Sequence, residues 1–492
     1  MTRTKKHIIV VGAGISGLTA AIELSSNPEL EVTVIDKNGE IGGRARSFEW
    51  NGFHYDMGPS WYWMPEIFER FFKEHGEDLS KYFELLRLDP SYRVFFKQDR
   101  FDKPDDFEEA LLKFESLQKG SSEFIRRFIR DAEFKYNAGM NTYVRTPADS
   151  MVEYFNFEVL SSFFKMDMFK SIDKEIRKGI QDEKLLQLLL FPILFLGAKP
   201  TETPALYSLM NYADLVLGTH YPKGGMIQLM NAFYQLALKK GVRFELNTEL
   251  KRILAKDNNV YAIQTSKSEL PCDGLIATGD YQHIDTHCLP QQYKQYDEQY
   301  WNSRKLAPSC LLFYLAIDKK LQGLLHHNLF FDTDFDAHSQ SIYNLHTYPE
   351  QALFYVCVPS ITDPSVAPMG KENVFILVPL SVEMSVDEAQ ERRLFEQIIH
   401  RIEAKTNQSI QEHILFKRSY NKDHFIEDYY SYKGNAYGLS NVISQTAFLK
   451  PKIKHKKLKN MFFAGQLSHP GPGLPPSLIS GQLAAQLCKQ KC

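Results

Sequence analysis

Three glycines near the start of the sequence have the spacing of a dinucleotide-phosphate site. The stretch VVGAGISGL places Gly12, Gly14 and Gly17 in a G-x-G-x-x-G pattern between a strand-like run and a helix-like run. The first glycine permits a tight turn, the second lets backbone N–H groups approach a pyrophosphate, and the third lets the helix pack closely on the strand. The N-terminus of the helix adds the positive end of a dipole for the phosphates. We therefore expect Ala13 and Ser16 to lie at the same site.

A carboxylate follows at the position that a nucleotide ribose requires. Asp36 closes the next apolar run, EVTVIDK, and an acid at this place can accept hydrogen bonds from both ribose hydroxyls. An acid also favours a free 2′-hydroxyl over a 2′-phosphate, and we expect the adjacent Lys37 to border the site. The stretch DKNGEIGGRARS then offers Gly43 and Arg44 in a glycine-rich loop, which can bring backbone amides and a cation toward the diphosphate. These residues together predict a dinucleotide site.

The runs around these residues predict a compact β-α-β unit. Residues 7–11 are apolar and β-branched, 15–25 carry small and apolar residues at helical spacing, and 31–37 form a second strand-like run. The middle of the chain, from about 100 to 200, has apolar residues at helical spacing and is expected to be mostly helical. Later stretches predict a helix after YPKGG, a hairpin over 242–265, a short strand at 274–280, and two strands of a second sheet at 310–317 and 373–380.

The bulk composition is that of a globular chain large enough for two domains. Of the 492 residues, 43% are hydrophobic and 24% are charged, which excludes wholesale disorder. The formal net charge of -2 gives no global attraction to nucleic acid, so we expect no such partner. The six cysteines are scattered, without a CxxC pair or histidines at metal-ligand spacing, and predict no metal site and a reducing compartment. With no secretory signal before the first strand, a cytoplasmic location is expected.

Two stretches allow more than one interpretation. The apolar run LLQLLLFPILFLGA at 185–198 is too short to span a bilayer and is interrupted by Gln187 and Pro192. It predicts a buried helix, an apolar channel wall or a segment that dips into a membrane surface. The lysine-rich run KPKIKHKKLKN at 450–460 is typical of a solvated loop, although it could also contact anionic lipid head groups.

Several motifs carry a resemblance to a known family. The GG loop after Asp36 and the segment WNGFHYDMGPSW at 50–61 resemble the two-dinucleotide-domain flavoproteins, which include amine oxidases and carotenoid desaturases. Residues 194–233, with their PKGG segment, and SHPGPGLPPSLISG near the end are similar to bacterial phytoene desaturases. The matches run from about residue 7 to 487. The resemblance implies FAD as the cofactor and an α/β fold: a discontinuous Rossmann-type FAD-binding domain (1–90, 220–285 and 450–492) and a second, α+β substrate domain (91–219 and 286–449).

The resemblance also implies further contacts with FAD. The Gly-Pro turn should carry the chain toward the flavin ring, and Leu250 should offer its backbone amide and carbonyl to the adenine. His469, in the SHPG turn that should face the flavin, is a candidate acid/base or cation stabiliser, or it only hydrogen-bonds the turn. Besides those named above, the implied cofactor-binding residues are Gly58, Pro59, Ser60, Gly279, Asp280, Gly465, Gln466, Gly473, Leu474 and Pro475.

The chemistry implied is removal of hydrogen from an unactivated CH–CH unit. The flavin N5 accepts a hydride equivalent, and the protein positions the substrate and excludes water. We expect desaturation of a C40 carotenoid, 15-cis-phytoene stepwise toward lycopene, by an enzyme bound peripherally to the cytoplasmic membrane. Oxygen or a quinone would reoxidise the flavin. The alternatives are a hydroxycarotenoid 3,4-desaturase, a carotenoid cis-trans isomerase, an amine oxidase or a non-catalytic lipid-binding flavoprotein.

The C-terminal stretch MFFAGQLSHPGPGLPPSL completes the predicted site. MFFAG should form a strand that returns to the first domain, with Gly465 and Gln466 beside the diphosphate or ribityl chain. The helix that starts near Pro475 should aim its amide N–H groups at the N1/O2 edge of the flavin, where negative charge develops on reduction. The two ends of the chain are therefore expected to form one FAD site.

Overall fold

The computed structural model describes residues 5–140, 144–146, 170–194, 197–446 and 449–491. The parts of the predicted helical middle at 141–143 and 147–169 lie outside the described residues, as do residues 195 and 196 of the apolar run. In the described part, the chain forms two large sheets with helices packed on them, and apolar side chains of both sheets share one continuous core cluster.

A five-stranded parallel sheet carries the glycine fingerprint. Its strands are β1 (Lys6–Val11), β2 (Leu30–Ile35), β9 (Arg243–Glu245), β13 (Gly274–Ala277) and β19 (Met461–Phe463). They lie side by side in the order β19-β13-β1-β2-β9, and every pairing is parallel. A parallel sheet entered by a glycine-rich turn and a helix is the Rossmann arrangement. The predicted return of the MFFAG strand to this sheet is confirmed, because β19 pairs with β13.

A seven-stranded, mostly antiparallel sheet forms the second layer of strands. Its order is β18 (Ile414–Tyr420), β14 (Ser309–Ile317), β17 (Glu372–Leu380), β16 (Phe354–Cys357), β15 (His327–Phe331), β6 (Tyr92–Phe96) and β7 (Arg100–Lys103). The two strands predicted at 310–317 and 373–380 are therefore confirmed, and the structure shows that they pair directly with each other. The smaller sheets are β10 (Leu250–Lys256) with β11 (Asn259–Thr265) and β12 (Glu269–Pro271), β3 (Ser47–Trp50) with β4 (Phe53–Asp56), and β5 (Leu85–Arg87) with β8 (His220–Pro222).

The helices lie between and beside these sheets. In the described ranges, the helices of eight or more residues are α1 (Ile15–Ser25), α2 (Pro65–Glu74), α3 (Phe107–Leu117), α4 (Ser121–Ala138), α6 (Glu183–Leu194), α8 (Ile227–Lys239), α12 (Glu388–Thr406), α13 (Lys422–Tyr429) and α14 (Leu474–Lys489). The shorter ones are α5 (Ile172–Ile176), α7 (Leu209–Tyr212), α9 (Tyr281–His283), α10 (Glu298–Asn302) and α11 (Phe335–Gln340).

One sequence interpretation of secondary structure is wrong in part. Residues Arg243–Glu245 do not open a hairpin, because they pair in parallel with β2 at the edge of the first sheet. The hairpin is confined to β10 and β11. Alternating hydrophobicity indicates a strand but does not reveal its partner, so tertiary pairing decided this case. The middle of the chain is mostly helical where it is described, as expected, although it begins with the strand β7, which pairs with β6.

The apolar run at 185–198 forms the buried helix that was predicted, as far as Leu194. Pro192 lies inside this helix, and Leu185, Leu186 and Leu188 are buried in the core. Within the described residues, no helix combines the length and apolar character needed to cross a membrane. The domain boundaries inferred from the sequence stay a prediction.

Candidate functional site

The carboxyl ends of the parallel strands open into a cavity of about 650 Å³. Residues of both large sheets line it, from Val11 on β1 to Leu312 on β14 and Tyr355 on β16. Nearly all of the residues predicted to bind the cofactor line this cavity: Gly12, Gly14, Ser16, Asp36, Lys37, Gly43, Arg44, Gly58, Pro59, Ser60, Leu250, Gly279, Asp280, Gly465, Gln466, Gly473, Leu474 and Pro475. Ala13 and Gly17 are not among the lining residues.

The three fingerprint glycines serve three different purposes. Gly12 has φ +111°, and a Cβ there would lie 2.6 Å from Thr278 Oγ1. A Cβ on Gly17 would lie 1.8 Å from the carbonyl oxygen of Gly12, so this glycine allows α1 to pack on its own strand. A Cβ on Gly14 would meet no atom closer than 3.9 Å, and this residue lines the cavity. Gly14 is therefore where the backbone can approach a phosphate closely.

Asp36 bridges the fingerprint and the end of β2. Its Oδ2 accepts a hydrogen bond from the Ala13 N–H at 2.8 Å, and its Oδ1 accepts one from the Asn38 N–H at 2.8 Å. Burial raises the pKa of this carboxyl group, and the two backbone hydrogen bonds oppose the rise. A carboxylate oxygen can accept more than one hydrogen bond, so Asp36 can also accept the hydroxyls of a ribose in the cavity.

Arg44 brings a buried cation to the cavity. Its Nη2 donates to Ser431 Oγ at 3.0 Å, whereas its Nε is buried without a hydrogen-bond partner among the described residues. Burial lowers the pKa of the guanidinium, and the negative charge of Asp280 opposes this effect. An unused donor on a buried cation fits a diphosphate, which accepts charge-assisted hydrogen bonds. The residues present therefore fit FAD at the diphosphate and at the ribose.

The Gly-Pro turn packs directly on the loop that carries Arg44. A Cβ on Gly58 would lie 2.1 Å from the Arg44 carbonyl oxygen, so only a glycine allows this approach. The turn then leads to Ser60, whose Oγ lies 2.9 Å from the Tyr355 hydroxyl oxygen on β16. Ser60 thus lies between the part of the cavity lined by the predicted dinucleotide residues and the part lined by the second sheet.

Aspartate 280 also has a structural role that the sequence did not indicate. Its Oδ1 accepts the His283 N–H at 3.1 Å and caps α9, while its Oδ2 accepts the Tyr432 N–H at 3.1 Å. Burial raises the pKa of Asp280, and the nearby Arg44 opposes the rise. Together these contacts tie the end of β13 to the segment that follows α13.

The last residue of α13 and the residue after it line the cavity, and sequence reasoning missed both. The Tyr429 hydroxyl donates to the Gly43 carbonyl oxygen at 3.2 Å, and Lys37 Nζ lies 3.8 Å from the ring centroid of Tyr430. Both tyrosines line the cavity. Neither belongs to a glycine motif or a charge pattern, so no signal in the sequence distinguished them from the other aromatic residues.

The C-terminal helix α14 closes the cavity from the other end of the chain. The Ser16 hydroxyl donates to the Ser477 carbonyl oxygen at 2.8 Å, and a Cβ on Gly481 would lie 2.3 Å from the Ser16 carbonyl oxygen. The Gly465 N–H donates to Ser480 Oγ at 3.0 Å, and Gln466 Nε2 donates to Asn435 Oδ1 at 2.9 Å. The last helix is thus held against α1 by direct contact.

The expectation of several amides at the start of α14 is wrong. Pro475 and Pro476 have no N–H group, and the Ser477 N–H donates to the Gly473 carbonyl oxygen at 2.9 Å. Of the first three helical residues, only Leu474 carries an amide hydrogen. The positive end of the helix dipole remains, but hydrogen bonding from the first turn is reduced to one donor.

The second half of the cavity is largely apolar. Phe191, Leu194, Leu206, Leu209, Phe331 and Leu353 are among its lining residues. Because Phe191 and Leu194 belong to α6, the apolar run at 185–198 forms a cavity wall as well as a buried helix. An apolar chamber that continues from a dinucleotide site suits a hydrocarbon substrate.

Three hydrogen-bonded polar side chains, Ser60, Tyr355 and His327, lie within this apolar wall. The Tyr355 hydroxyl lies 2.6 Å from His327 Nδ1 as well as close to Ser60, and the ring of Trp61 stacks on His327 at 4.0 Å between centroids. Burial lowers the pKa of His327 well below its ordinary value, which favours the neutral imidazole. His469 also lines the cavity and is 6% exposed.

Histidine 327 belongs to a buried cluster that sequence spacing did not reveal. Ligating atoms of His326, His327 and Cys357 lie within 4.8 Å of one another. Burial raises the pKa of the Cys357 thiol, which disfavours the thiolate that a metal would require. We assign no metal to this cluster.

The PKGG segment and the YDMGP segment meet at the start of α8. The carboxylate of Asp56 accepts the N–H groups of Met226 at 2.7 Å and Ile227 at 3.1 Å, and so caps α8. A Cβ on Gly225, which has φ +98°, would lie 3.0 Å from Asp56 Oδ2. The Gly224 N–H donates to Asp363 Oδ2 at 2.6 Å. The second glycine of the motif is therefore required by the approach of a carboxylate to a helix start.

Comparison with known proteins agrees with this site. The family described as flavin containing amine oxidoreductase matches residues 15–489. The chain belongs to this family. It is 33% identical over 483 residues to the carotenoid 3,4-desaturase of Haloarcula japonica, covering 98% of this chain and 97% of that protein. It is 29% identical over 489 residues to the 4,4'-diapophytoene desaturase (4,4'-diaponeurosporene-forming) of Staphylococcus aureus, covering 97% of both chains.

A solved structure shares the fold at low sequence identity. Cyclohexylamine oxidase from Brevibacterium oxydans has a TM-score of 0.60 at 14% identity and covers 99% of both chains. The expected α/β fold with a Rossmann-type FAD-binding part is thus confirmed, and so is the expected membership among the carotenoid desaturases of this flavoprotein superfamily. The protein is an FAD-dependent oxidoreductase. The roles of individual site residues stay predictions.

Proposed function

We propose that the protein desaturates a C40 carotenoid, and that it converts 15-cis-phytoene stepwise toward lycopene. One observation carries this proposal: the dinucleotide site continues into a chamber lined by apolar side chains such as Phe191, Phe331 and Leu353. A polyene hydrocarbon offers no polar handle, so its recognition depends on such a chamber. The relatives named as desaturases support the same reaction class.

In this proposal the chain holds FAD through residues on both sides of the cavity. Asp36 accepts the ribose hydroxyls, Gly14 lets the backbone approach the diphosphate, and Arg44 donates to it. When bound, FAD supplies the acceptor for a hydride equivalent at its N5 atom. The apolar wall excludes water and aligns the CH–CH unit.

Loss of the hydride leaves a carbon skeleton that must release a proton. A carbocation next to a C–H bond is a strong acid, so a weak neutral base is sufficient to accept that proton. His469 is the titratable side chain of the Gly/Pro turn, it lines the cavity, and in this proposal it accepts the proton or stabilises the positive charge.

The proposed substrate is a membrane lipid, so we propose that the enzyme binds peripherally to the cytoplasmic membrane. The exposed Lys456, Lys457 and Lys459 of the lysine-rich run offer charges that anionic head groups attract. We propose oxygen or a quinone as the acceptor that reoxidises the flavin.

A second candidate substrate is a hydroxylated carotenoid that is desaturated at the 3,4 position. The 33% identity to a protein named carotenoid 3,4-desaturase favours this candidate.

Expression in bacterial strains that accumulate a single precursor separates these candidates. One strain makes phytoene, one makes 4,4'-diapophytoene and one makes a hydroxylated carotenoid, and the extracted pigments are identified by chromatography and absorption spectrum. Lycopene-type pigment in the phytoene strain supports the proposal. Colourless phytoene in that strain, with new pigment in another, overturns the choice of substrate. The Asp36→Ala variant, expressed at the same level, serves as the control for flavin-dependent colour.

A further inference from the structure

One lysine of the lysine-rich run is buried behind the cavity. Lys450 is 3% exposed, whereas Lys456, Lys457 and Lys459 of the same run are exposed. The Lys450 amine donates to Asn441 Oδ1 at 3.0 Å, and Asn441 itself lines the cavity. The expectation of a solvated loop therefore holds for Lys456, Lys457 and Lys459, whereas Lys450 and several other residues of the run, such as His455 and Leu458, are buried.

Among the residues that the structure describes, no carboxylate compensates the charge of Lys450. Burial lowers the pKa of its amine to about 7, and no acid in that part of the chain opposes the shift. Lys103 provides a contrast within the same chain. It is equally buried, but the negative charges of Asp214 and Asp105 favour its ammonium form against the effect of burial. A buried cation without an acidic partner is costly unless an anion comes close to it.

The Lys450 amine lies directly behind the turn that faces the cavity. Gly471 has φ +136°, and a Cβ on it would lie 2.4 Å from Lys450 Nζ. The residues on either side of it, Pro470 and Pro472, line the cavity, as does Gly473. Pro470 and Pro472 thus face the cavity, whereas Gly471 faces the Lys450 amine. The backbone of the turn therefore lies between the positive charge and the cavity.

The same turn leads into the N-terminus of α14. Because Pro475 and Pro476 leave Leu474 as the only amide donor among the first three helical residues, the helix itself offers little hydrogen bonding to an anion there. A reduced flavin carries negative charge on its N1–C2=O edge. A fixed positive charge close to a buried anion stabilises it more strongly than the same charge would in water.

We propose that the ammonium group of Lys450 stabilises the negative charge that the flavin ring acquires when it accepts electrons. Lys450 acts through its electric field across the Gly/Pro turn and does not contact the substrate. This inference rests on FAD as the cofactor and on the placement of the ring at this turn. It does not depend on which carotenoid is the substrate.

Sulfite titration of the FAD-loaded enzyme measures this stabilisation without any carotenoid. Sulfite forms a bond from its sulfur lone pair to flavin N5, and the displaced electron pair places negative charge on the N1–C2=O edge. The Kd for sulfite, followed by the loss of flavin absorbance, therefore reports positive charge near that edge. The variants are Lys450→Gln, which keeps a donor for Asn441 without the charge, and Lys450→Arg, which keeps the charge. The matched control is Lys457→Gln in the exposed part of the same run.

We expect Lys450→Gln to raise the sulfite Kd by about tenfold or more, and to lower the flavin midpoint potential. Lys450→Arg and Lys457→Gln should remain within about threefold of the unmodified enzyme. A Lys450→Gln enzyme that holds FAD with an unchanged sulfite Kd would overturn the inference.

Lys450→Met provides a second neutral variant if the glutamine variant does not fold. Neither the sulfite Kd nor the midpoint potential involves a polyene. A colourless result in the phytoene strain would therefore contradict the proposed substrate but not the role of Lys450. A normal sulfite Kd in both neutral variants would contradict the role of Lys450 and leave the proposed substrate standing.

Discussion

The side-chain hydroxyl of Ser16 donates a hydrogen bond to the carbonyl oxygen of Ser477 at 2.8 Å, across 461 residues of sequence. Ser16 belongs to the helix that follows the glycine fingerprint, and Ser477 belongs to the first turn of the last helix. The contact holds the Gly/Pro turn of the C-terminus beside the fingerprint. The two ends of the chain therefore form one wall of the cavity, and a change in how α1 packs on α14 should alter cofactor binding.

Gly481→Val tests this packing. A Cβ at position 481 would lie 2.3 Å from the Ser16 carbonyl oxygen, so the two helices would have to separate. Overpacking of this kind typically costs about 1–3 kcal/mol. We expect a lower Tm and a lower FAD-to-protein ratio in the purified protein, read from the flavin absorbance. Gln486→Ala, at an exposed position of the same helix, should change neither value. A Gly481→Val protein with full FAD and unchanged Tm would contradict the close packing described here.

Asp36→Ala should weaken FAD binding. The substitution removes the carboxylate that we expect to hold the ribose, and it leaves the Ala13 N–H without its acceptor. Loss of hydrogen bonds to a charged group typically costs about 1.5–3 kcal/mol, or roughly a tenfold to hundredfold weaker Kd. The measurement is the FAD Kd by fluorescence titration of the apoprotein. Glu245→Gln, at an exposed acid on the neighbouring strand, is the control. An Asp36→Ala protein with the FAD Kd of the unmodified protein would contradict the assignment.

The sequence predicted the dinucleotide half of the site better than the other half. The β-α-β unit was predictable because its glycines, helix spacing and acid follow from local physics, and α1 runs over Ile15–Ser25 as expected. The sequence did not predict that Tyr429 and Tyr430 line the cavity, because the residues they contact, Gly43 and Lys37, are remote in sequence.

Misassignments arose where burial or pairing was decided by tertiary structure. Lys450 is chemically indistinguishable from the other lysines of its run, and only its position behind Gly471 makes it buried. Arg243–Glu245 alternates like a hairpin strand but pairs with β2. The lack of N–H groups in the first turn of α14, by contrast, was predictable from Pro475 and Pro476.

Asp56 should make stability depend on pH. Burial raises the pKa of this carboxyl group from 3.8 to about 6, against the two backbone hydrogen bonds from Met226 and Ile227. Between these two values the folded protein binds more protons than the unfolded chain, so this group makes the protein less stable as the pH rises through that range. We expect Asp56→Asn to remove this part of the slope in a plot of Tm against pH. Asp257→Asn, at an exposed turn, should leave the slope unchanged. An identical slope in both variants would show that Asp56 ionises normally.

Tyr355→Phe should destabilise the wall of the apolar chamber. The substitution removes the hydroxyl that Ser60 and His327 share, and His327 Nε2 already has no hydrogen-bond partner among the described residues. An unsatisfied buried polar group typically costs about 1–3 kcal/mol. We expect a lower midpoint of urea unfolding for the FAD-loaded enzyme. Tyr261→Phe, at a half-exposed tyrosine on β11, is the control, and equal midpoints for the two variants would contradict the expectation.

His469→Ala should separate cofactor binding from turnover. His469 lines the cavity at the Gly/Pro turn, whereas the contacts assigned to the ribose and diphosphate come from Asp36, Gly14 and Arg44. We therefore expect the variant to keep its FAD and its sulfite Kd, because neither depends on a proton acceptor, and to lose turnover by about 10²–10⁴-fold, as is typical when a general acid or base is removed. Turnover is measured as pigment formed per FAD from phytoene in liposomes. His287→Ala, at an exposed histidine, controls for the loss of an imidazole elsewhere. If the His469→Ala enzyme holds FAD and forms pigment at the full rate, His469 only supports the turn, and the proton is accepted by another group.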